Sequence, residues 1–305
     1  REVIIQALST YSDKKEVMGE LVKQSFKKIR KMEKSTGKVF LVGAGPGDPE
    51  LITAKGLRAI QTADVILHDA LIHPHLVFEI NPLAQKIFVG KREDKHSVSQ
   101  ESIHSIMAEE AAKGKMVVRL KGGDPFMFGR GGEEVMALAE ENIPFEVIPG
   151  ITAGLGAAAG FGIPLTHRDD ATSTLFITGH QCRNKVSQDW KILAKLNTTL
   201  VFYMGTKRLT EIVMGLVENG KSKDTPIAIV QNATMLIQNI STSTLGSILK
   251  DIKYKKPMTP AVIIIGNVVN YHSKIQKCLD ALPSEIVAPI EDMGFDIWKN
   301  KAVVA

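Results

Sequence analysis

The chain has 305 residues, 44% of them hydrophobic and 23% charged, which is typical of a globular protein of about two domains. Its net charge of +5 is small and spread along the chain, which favours a small acidic ligand over nucleic acid. No apolar run reaches the roughly 18 residues of a membrane span, and no secretory signal is recognisable. The two cysteines, Cys182 and Cys278, have neither zinc nor disulfide-framework spacing, so we expect a cytoplasmic protein.

Residues 1–36 differ in composition from the rest of the chain. From Asp13 to Lys34 the segment is rich in lysine and glutamate, and apolar residues recur near helical spacing. This pattern predicts one amphipathic helix in an N-terminal extension or linker. The chain starts at Arg1 rather than at a methionine, which is compatible with an upstream segment.

After this extension, short apolar strands alternate with helical patterns. Strands are predicted over 38–42, 64–67, 86–89, 116–120 and 145–148. Helices are predicted over 50–62, 100–113 and 133–141. Such alternation is typical of βαβ units and a mostly parallel sheet, which binds ligands at the carboxyl ends of its strands. We therefore expect an N-terminal α/β domain over residues 37–150.

A second domain is predicted over residues 151–272. The small-residue stretch 150–162 is the expected passage between the domains. Beyond it, strands are predicted over 173–178, 199–203, 226–230 and 261–265, and helices over 209–219 and 244–252. Residues 273–305 carry little pattern and are expected to form a peripheral tail. The predicted fold is therefore a two-domain α/β protein, each domain having a mixed or mostly parallel sheet flanked by helices.

A glycine-rich loop, VGAGPGDP (42–49), follows the first predicted strand. Glycine permits positive φ angles and lets a ligand approach the backbone closely. The loop departs from a dinucleotide-binding fingerprint, because Asp48 stands where the third glycine belongs and Pro46 removes an N–H donor. A turn without ligand contacts is the alternative for this loop taken alone.

A second loop, RLKGGDPFMFGRGGEE (119–134), lies between a predicted strand and a predicted helix. It is rich in glycine and has a single aspartate, Asp124, in an apolar setting. An acidic residue at a strand end suits a ribose diol or an ammonium group better than a phosphate. S-adenosylmethionine offers both groups together with a sulfonium cation, so it is the cofactor that we expect.

Residues 38–270 resemble the uroporphyrinogen-III C-methyltransferases of the tetrapyrrole methylase family, including the methyltransferase module of siroheme synthase. The shared motifs are VGAGPGDPELITAKGLRAIQTADVILHDALI (42–72), VGKR (89–92), RLKGGDPFMFGRGGEE (119–134), VIPGITAGLGAAAGFGIPLTHRD (147–169), VFYMG (201–205), QNAT (231–234) and TPAVIIIGNVV (259–269). The motif at 119–134 is the most specific, because relatives that act on later corrin intermediates, and diphthine synthase, share the fold but not this sequence.

This resemblance implies a homodimeric methyltransferase with S-adenosylmethionine in a cleft between its domains and S-adenosylhomocysteine as product. The implied reaction is methylation of uroporphyrinogen III at C-2 and C-7, which gives precorrin-2 for siroheme or cobalamin. A methyltransferase for a later cobalt-precorrin intermediate is the alternative within the fold. A non-catalytic nucleotide-binding module is the alternative outside it.

The resemblance also implies the residues that contact the cofactor. They are Pro46, Gly122, Gly123, Asp124, Met127, Thr152, Ala153, Met204 and Ala233. The family usually has glycine at the last of these positions. A backbone contact made by alanine there requires a negative φ angle.

Two ionisable residues match catalytic positions of the family, Asp69 as a proton acceptor and Lys91 as a proton donor. A helix cap is the alternative for Asp69, and a plain contact with a substrate anion is the alternative for Lys91. The substrate carboxylates are expected to meet a set of basic residues, namely Arg119, Lys121, Arg130, His167 and Arg168. The other histidines have no metal-ligand spacing, so no metal is expected.

Overall fold

A computed structural model describes residues 37–90, 98–179, 188–253 and 257–282 of the chain. These residues form two compact units that divide between Ala153 and Gly154, within the small-residue stretch. Each unit contains one five-stranded sheet with helices packed against it, so the predicted α/β class is confirmed. The predicted N-terminal helix lies outside the described residues, and the predicted limits of the domains stay predictions.

The sheet of the first unit is entirely parallel. Its strands are β1 (Lys38–Gly43), β2 (Val65–His68), β3 (Gln85–Phe88), β4 (Met116–Lys121) and β5 (Phe145–Ile148). Their spatial order is β3-β2-β4-β1-β5. The helices of this unit are α1 (Ala54–Thr62), α2 (Gln100–Ala112) and α3 (Gly131–Glu140). The predicted alternation of strands and helices is therefore confirmed.

Apolar side chains cover both faces of this sheet, as is usual for parallel sheets. Val118 and Leu120 of β4 pack on the face that α1 covers, whereas Val117 packs on the face that α2 and α3 cover. Because successive side chains of a strand point to opposite faces, Arg119 and Lys121 follow Val117 on the second face. Two cations thus extend from the carboxyl end of β4 into an apolar layer.

The carboxyl ends of β1 and β4 lie side by side near the middle of the sheet. From β1 the chain crosses to β2 through α1 on one face, and from β4 it crosses the other way to β5 through α3 on the opposite face. Parallel α/β sheets bind ligands where neighbouring connections diverge in this manner. Both glycine loops of the sequence begin at this point.

The second unit contains a mixed sheet. Its strands are β6 (Thr174–Thr178), β7 (Thr199–Tyr203), β8 (Pro226–Gln231), β9 (Asn239–Thr244) and β10 (Ala261–Ile265), in spatial order β6-β7-β10-β8-β9. Its helices are α4 (Ala153–Gly160), α5 (Trp190–Lys195), α6 (Leu209–Glu218), α7 (Ile248–Asp251) and α8 (Asn270–Asp280). Because β7 and β8 both pair antiparallel with β10, their carboxyl ends lie at the same edge of the sheet.

Several elements of this unit differ from the sequence expectations. No helix was predicted at α5, and α7 is shorter than the helix predicted over 244–252. The small-residue stretch forms α4, where the backbone N–H of Gly154 donates to the Tyr203 hydroxyl at 2.7 Å; a Cβ on that glycine would meet the same hydroxyl at 2.5 Å. This close packing on β7 overrides the low helix propensity of glycine. β9 is a polar edge strand without an apolar run, and α8 continues across Ser273, where the tail was expected to begin.

No helix in the four described ranges combines the length and the apolar character needed to cross a bilayer.

Candidate active site

Three stretches of backbone meet at the carboxyl edge of the parallel sheet. Gly45 and Gly123 form an isolated bridge, in which the Gly123 N–H donates to the Gly45 carbonyl at 2.7 Å. A Cβ on Gly43 would come within 2.5 Å of the Gly150 nitrogen, and one on Gly150 would collide with the Gly123 carbonyl. The φ angles of Gly45 and Gly123 are +80° and +67°, a region that side chains disfavour. Glycine is therefore required for the loops after β1, β4 and β5 to touch.

Asp124 ties the second of these loops to the third. Its Oδ1 accepts hydrogen bonds from the backbone N–H groups of Phe126 at 2.8 Å and Met127 at 3.2 Å, and its Oδ2 accepts one from Gly150 at 3.1 Å. The neighbouring Gly122 is exposed, and a Cβ there would meet side chains no closer than 3.7 Å. The hydrogen bonds that Asp124 accepts thus stabilise the conformation of the loop, and free space remains beside Gly122.

The predicted cofactor residues of the first unit all lie on these loops. Pro46 follows β1, Gly122 through Met127 follow β4, and Thr152 and Ala153 follow β5. A Cβ on Gly123 would lie 3.7 Å from both the Ala153 nitrogen and the Thr152 Cα, so the second and third loops are in direct contact. The structure therefore brings these predicted residues to one edge of the sheet.

Met204 and Ala233 lie at one edge of the second sheet, after β7 and β8. Met204 has a φ angle of 54° and is 53% exposed. Asn232 and Thr234 also have positive φ angles, of 48° and 64°, whereas Ala233 between them does not. Positive φ angles are uncommon outside glycine and concentrate at functional sites. The backbone of Ala233 thus meets the condition for replacing the usual glycine.

A hydrogen-bonded group of four charged side chains and one amide, which we call the β4 charge cluster, consists of Asp69, Gln100, Arg119, Lys121 and Glu134. Arg119 Nη2 donates to Asp69 Oδ1 at 2.7 Å, and its Nε donates to Glu134 Oε1 at 3.2 Å. The same Oε1 accepts from Lys121 Nζ at 2.9 Å and from Gln100 Nε2 at 3.0 Å. The side chains of Arg119 and Glu134 are 3% and 0% exposed, and that of Asp69 is 31% exposed. Asp69 is therefore the charged member that faces solvent.

The surroundings of the cluster explain why these charges are tolerated. Glu134 lies in the first turn of α3, where the helix dipole stabilises a carboxylate. Burial lowers the pKa of Lys121, and the nearby guanidinium of Arg119 lowers it further. Sequence reasoning did not single out Glu134 or Gln100. The signal available was the pair of cations two residues apart in a buried strand, followed by an acid in the first turn of the next helix.

The cluster bears on several sequence expectations. Arg119 and Lys121 were expected to hold substrate carboxylates, but they are buried and bonded to protein carboxylates. The helix-cap alternative for Asp69 is not supported, because the next helical turn, His75–Glu79, has Pro74 as its N-cap residue.

The remaining predicted residues are more exposed or not described. Arg130 is exposed and forms a two-point ion pair with Glu133, which raises its pKa. In the second unit, Arg168 is exposed and His167 Nδ1 lies 3.1 Å from the Tyr271 hydroxyl. Lys91 lies outside the described residues, and its role stays a prediction.

Comparison with known proteins identifies the family. Residues 38–249 match the sequence model of the family described as Tetrapyrrole (Corrin/Porphyrin) Methylases. The chain belongs to this family.

Named relatives of this tetrapyrrole methylase are close. It is 51% identical over 237 residues to a uroporphyrinogen-III C-methyltransferase of Methanocaldococcus jannaschii. The matched region covers 77% of this chain and 98% of that protein. It is also 51% identical over 251 residues to a siroheme synthase of Actinobacillus pleuropneumoniae. Here the matched region covers 82% of this chain and 50% of that protein. The chain thus spans about half the length of the siroheme synthases it matches.

Solved structures share the fold of this methylase. A uroporphyrin-III C-methyltransferase from Thermus thermophilus, complexed with S-adenyl homocysteine, has a TM-score of 0.66 at 36% identity and covers 77% of this chain and 99% of that chain. A cobalt precorrin-4 methyltransferase has a TM-score of 0.68 at 29% identity, and the match covers 76% of this chain and 95% of that chain. The family expected from the sequence motifs is therefore confirmed.

The role of Asp124 in shaping the loop predicts a cost in stability. Asp124→Ala leaves three backbone N–H groups without their acceptor, and we expect the free energy of unfolding of the first unit to fall by about 2 kcal/mol or more. The control is Asp64→Ala, because Asp64 accepts a single backbone N–H, that of Met116 at 2.8 Å. Urea denaturation measures both variants. Equal losses in the two variants would contradict the proposed role of Asp124.

Proposed function

We propose that this chain is an S-adenosylmethionine-dependent methyltransferase that methylates uroporphyrinogen III at C-2 and C-7 and yields precorrin-2. The observation that carries the proposal is the edge of the parallel sheet, where a glycine-built cradle and the Asp69 carboxylate lie together. Asp69 begins the loop after β2, and Leu71 of that loop is the side chain nearest to the free space beside Gly122, at 3.7 Å from a Cβ built there. A methyl donor and a proton acceptor would thus share one edge.

The fold alone does not select this substrate over a later cobalt-precorrin. The solved structures of the two kinds of enzyme resemble this chain about equally, with TM-scores of 0.66 and 0.68. Sequence identity favours the uroporphyrinogen-III enzymes. The solved T. thermophilus enzyme is 36% identical to this chain and the cobalt precorrin-4 enzyme is 29% identical, and the M. jannaschii uroporphyrinogen-III C-methyltransferase reaches 51%. Precorrin-2 serves as a precursor in siroheme synthesis, and we propose that it also serves as a precursor in cobalamin synthesis.

The residues of the first unit fit S-adenosylmethionine. Gly122 is exposed and leaves room for a ligand beside the loop, and Met127 supplies a half-buried apolar side chain. A carboxylate accepts about four hydrogen bonds, so the three that Asp124 accepts from the backbone leave one position for a ligand donor. When bound, the cofactor would supply an activated methyl group on a sulfonium. Met204 and Ala233, at strand ends of the second unit, stay predicted cofactor contacts.

The same loops are poorly suited to nicotinamide dinucleotides. Pro46 provides no N–H to a pyrophosphate, and the Asp48 carboxylate would repel it. Isothermal titration calorimetry should therefore show S-adenosylhomocysteine binding at micromolar level, about −8 kcal/mol, with no heat from NAD or NADP. A clear isotherm for either dinucleotide would overturn the cofactor assignment.

Asp69 is the residue we assign to proton transfer. Methyl attack on a pyrrole carbon leaves a cationic ring system, which returns to neutrality by losing a proton to a nearby base. Arg119 holds Asp69 Oδ1 at 2.7 Å, and this leaves Oδ2 to receive that proton. The exposed Arg130 and Arg168 and the partly exposed His167 are assigned to the substrate carboxylates, because Arg119 and Lys121 are already bonded within the cluster.

Asp69→Asn tests this assignment. The amide keeps the size of the side chain and an acceptor for Arg119 but lacks basicity, so we expect kcat to fall by about 10²–10⁴-fold. S-adenosylhomocysteine affinity should change little. Methyl-transfer kinetics under saturating substrate and calorimetry provide the two readouts. Near-normal turnover would show that Asp69 is not the proton acceptor.

A homodimer in the cytoplasm is the assembly and location that we propose. The support is the family resemblance and the low cysteine count, two in 305 residues. Light scattering at micromolar concentration should give twice the chain mass of 33.3 kDa. A monomer mass under these conditions would contradict the proposed homodimer.

A further inference from the structure

Glu134 is the centre of the β4 charge cluster, and the proposed reaction has given it no role. Its side chain is completely buried, and its Oε1 accepts from Arg119, Lys121 and Gln100. Its Oε2 is buried without a hydrogen-bond partner among the described residues. Burying a carboxylate costs several kcal/mol unless its charge is balanced. Two cations balance it here, so its own charge must in turn affect them.

The cluster is electrically neutral as a whole. Two carboxylates, Asp69 and Glu134, face two cations, Arg119 and Lys121. Charges interact more strongly in such a buried setting than in water. Arg119 joins the two carboxylates directly, because its planar guanidinium bonds Glu134 through Nε and Asp69 through Nη2. A change of charge at Glu134 would therefore be felt at Asp69.

We propose that Glu134 is a positioning residue for Asp69, which fixes the orientation of Arg119 and balances the two buried cations so that the Asp69 carboxylate remains an effective proton acceptor. This inference rests on the role proposed for Asp69. Without the negative charge of Glu134, Asp69 would face two uncompensated cations. Such a carboxylate holds its proton less tightly and is a weaker base.

Other titratable groups lie near the cluster and stay unchanged in the test. His68 precedes Asp69, and its Nδ1 lies 3.2 Å from the Asp69 carbonyl; burial lowers its pKa. Just before α3, Arg130 is exposed and paired with Glu133. Lys91 belongs to a stretch that the structure does not describe. The test therefore changes charge only at buried members of the cluster.

Three variants separate an electrostatic role from a merely structural one. Glu134→Gln keeps the shape and gives the cluster a net charge of about +1, Lys121→Met gives about −1, and the double variant restores neutrality. We measure kcat against pH with saturating S-adenosylmethionine and uroporphyrinogen III. The informative feature is the acid limb, the pH range in which activity falls as the proton acceptor becomes protonated.

Opposite shifts are expected from the two single variants. Glu134→Gln should lower the plateau of kcat by about 3- to 10-fold and move the acid limb down by about one pH unit, whereas Lys121→Met should move it up. The double variant should return the limb to within about 0.3 pH unit of the parent enzyme. S-adenosylhomocysteine affinity should remain within about twofold in all three.

Glu110→Gln is the matched control. Glu110 is 8% exposed and is bonded to Lys113 at 2.6 Å and to Lys115, just before the amino end of β4. The substitution thus removes a carboxylate of α2 that is likewise paired with two cations, near the amino end of β4 rather than its carboxyl end. Its acid limb should coincide with that of the parent enzyme.

The inference is overturned if Glu134→Gln lowers only thermal stability while its pH profile coincides with the parent, or if the double variant shifts as far as the single one. If Glu134→Gln does not fold, Lys121→Met carries the same test with the opposite sign, and an unshifted limb there overturns the inference. The role proposed for Asp69 fails separately, through normal turnover in Asp69→Asn, and the proposed function fails if the parent enzyme transfers no methyl group to uroporphyrinogen III.

Discussion

The architecture of the first unit depends on backbone contact between three loops at the carboxyl edge of its parallel sheet. A Cβ added to Gly43 or to Gly150 would collide with neighbouring main chain, including the carbonyl of Gly123. This contact fixes the loops after β1, β4 and β5 relative to one another. Asp124 then closes the arrangement, since its two oxygens bond backbone on both sides of the contact. A ligand at this edge meets a surface that is already formed, which reduces the cost of binding.

A second constraint is the placement of charge inside an apolar layer. Strand alternation directs Arg119 and Lys121 to the face covered by α2 and α3, where water cannot compensate them. Glu134 and Asp69 supply the balancing charge from α3 and from the end of β2. The same ion pairs that make this burial tolerable also hold Asp69 at the edge where the glycine loops lie. If Asp69 accepts the proton as proposed, structural support and reactivity are linked through one guanidinium group.

The sequence predicted the apolar strands and the family well, because strand patterning and long motifs are local properties of the chain. It did not predict α4, because glycine-rich segments are poor helix formers and only the tight packing of Gly154 on Tyr203 makes that helix favourable. It also assigned Arg119 and Lys121 to the substrate. A one-dimensional pattern indicates that a cation is present but not whether its partner is a ligand or a buried side chain such as Glu134. That distinction required the three-dimensional structure, which shows that Arg119 and Lys121 of β4 contact Glu134 of α3.

The central claim is that this edge of the sheet supports two methyl transfers to one tetrapyrrole. Mass spectrometry of the product formed from uroporphyrinogen III and S-adenosylmethionine labelled in its methyl group tests it most directly. We expect a product that carries two labelled methyl groups, with two molecules of S-adenosylhomocysteine released for each molecule of product. A product that retains the substrate mass, or methylation only of a later cobalt-containing intermediate, would contradict it.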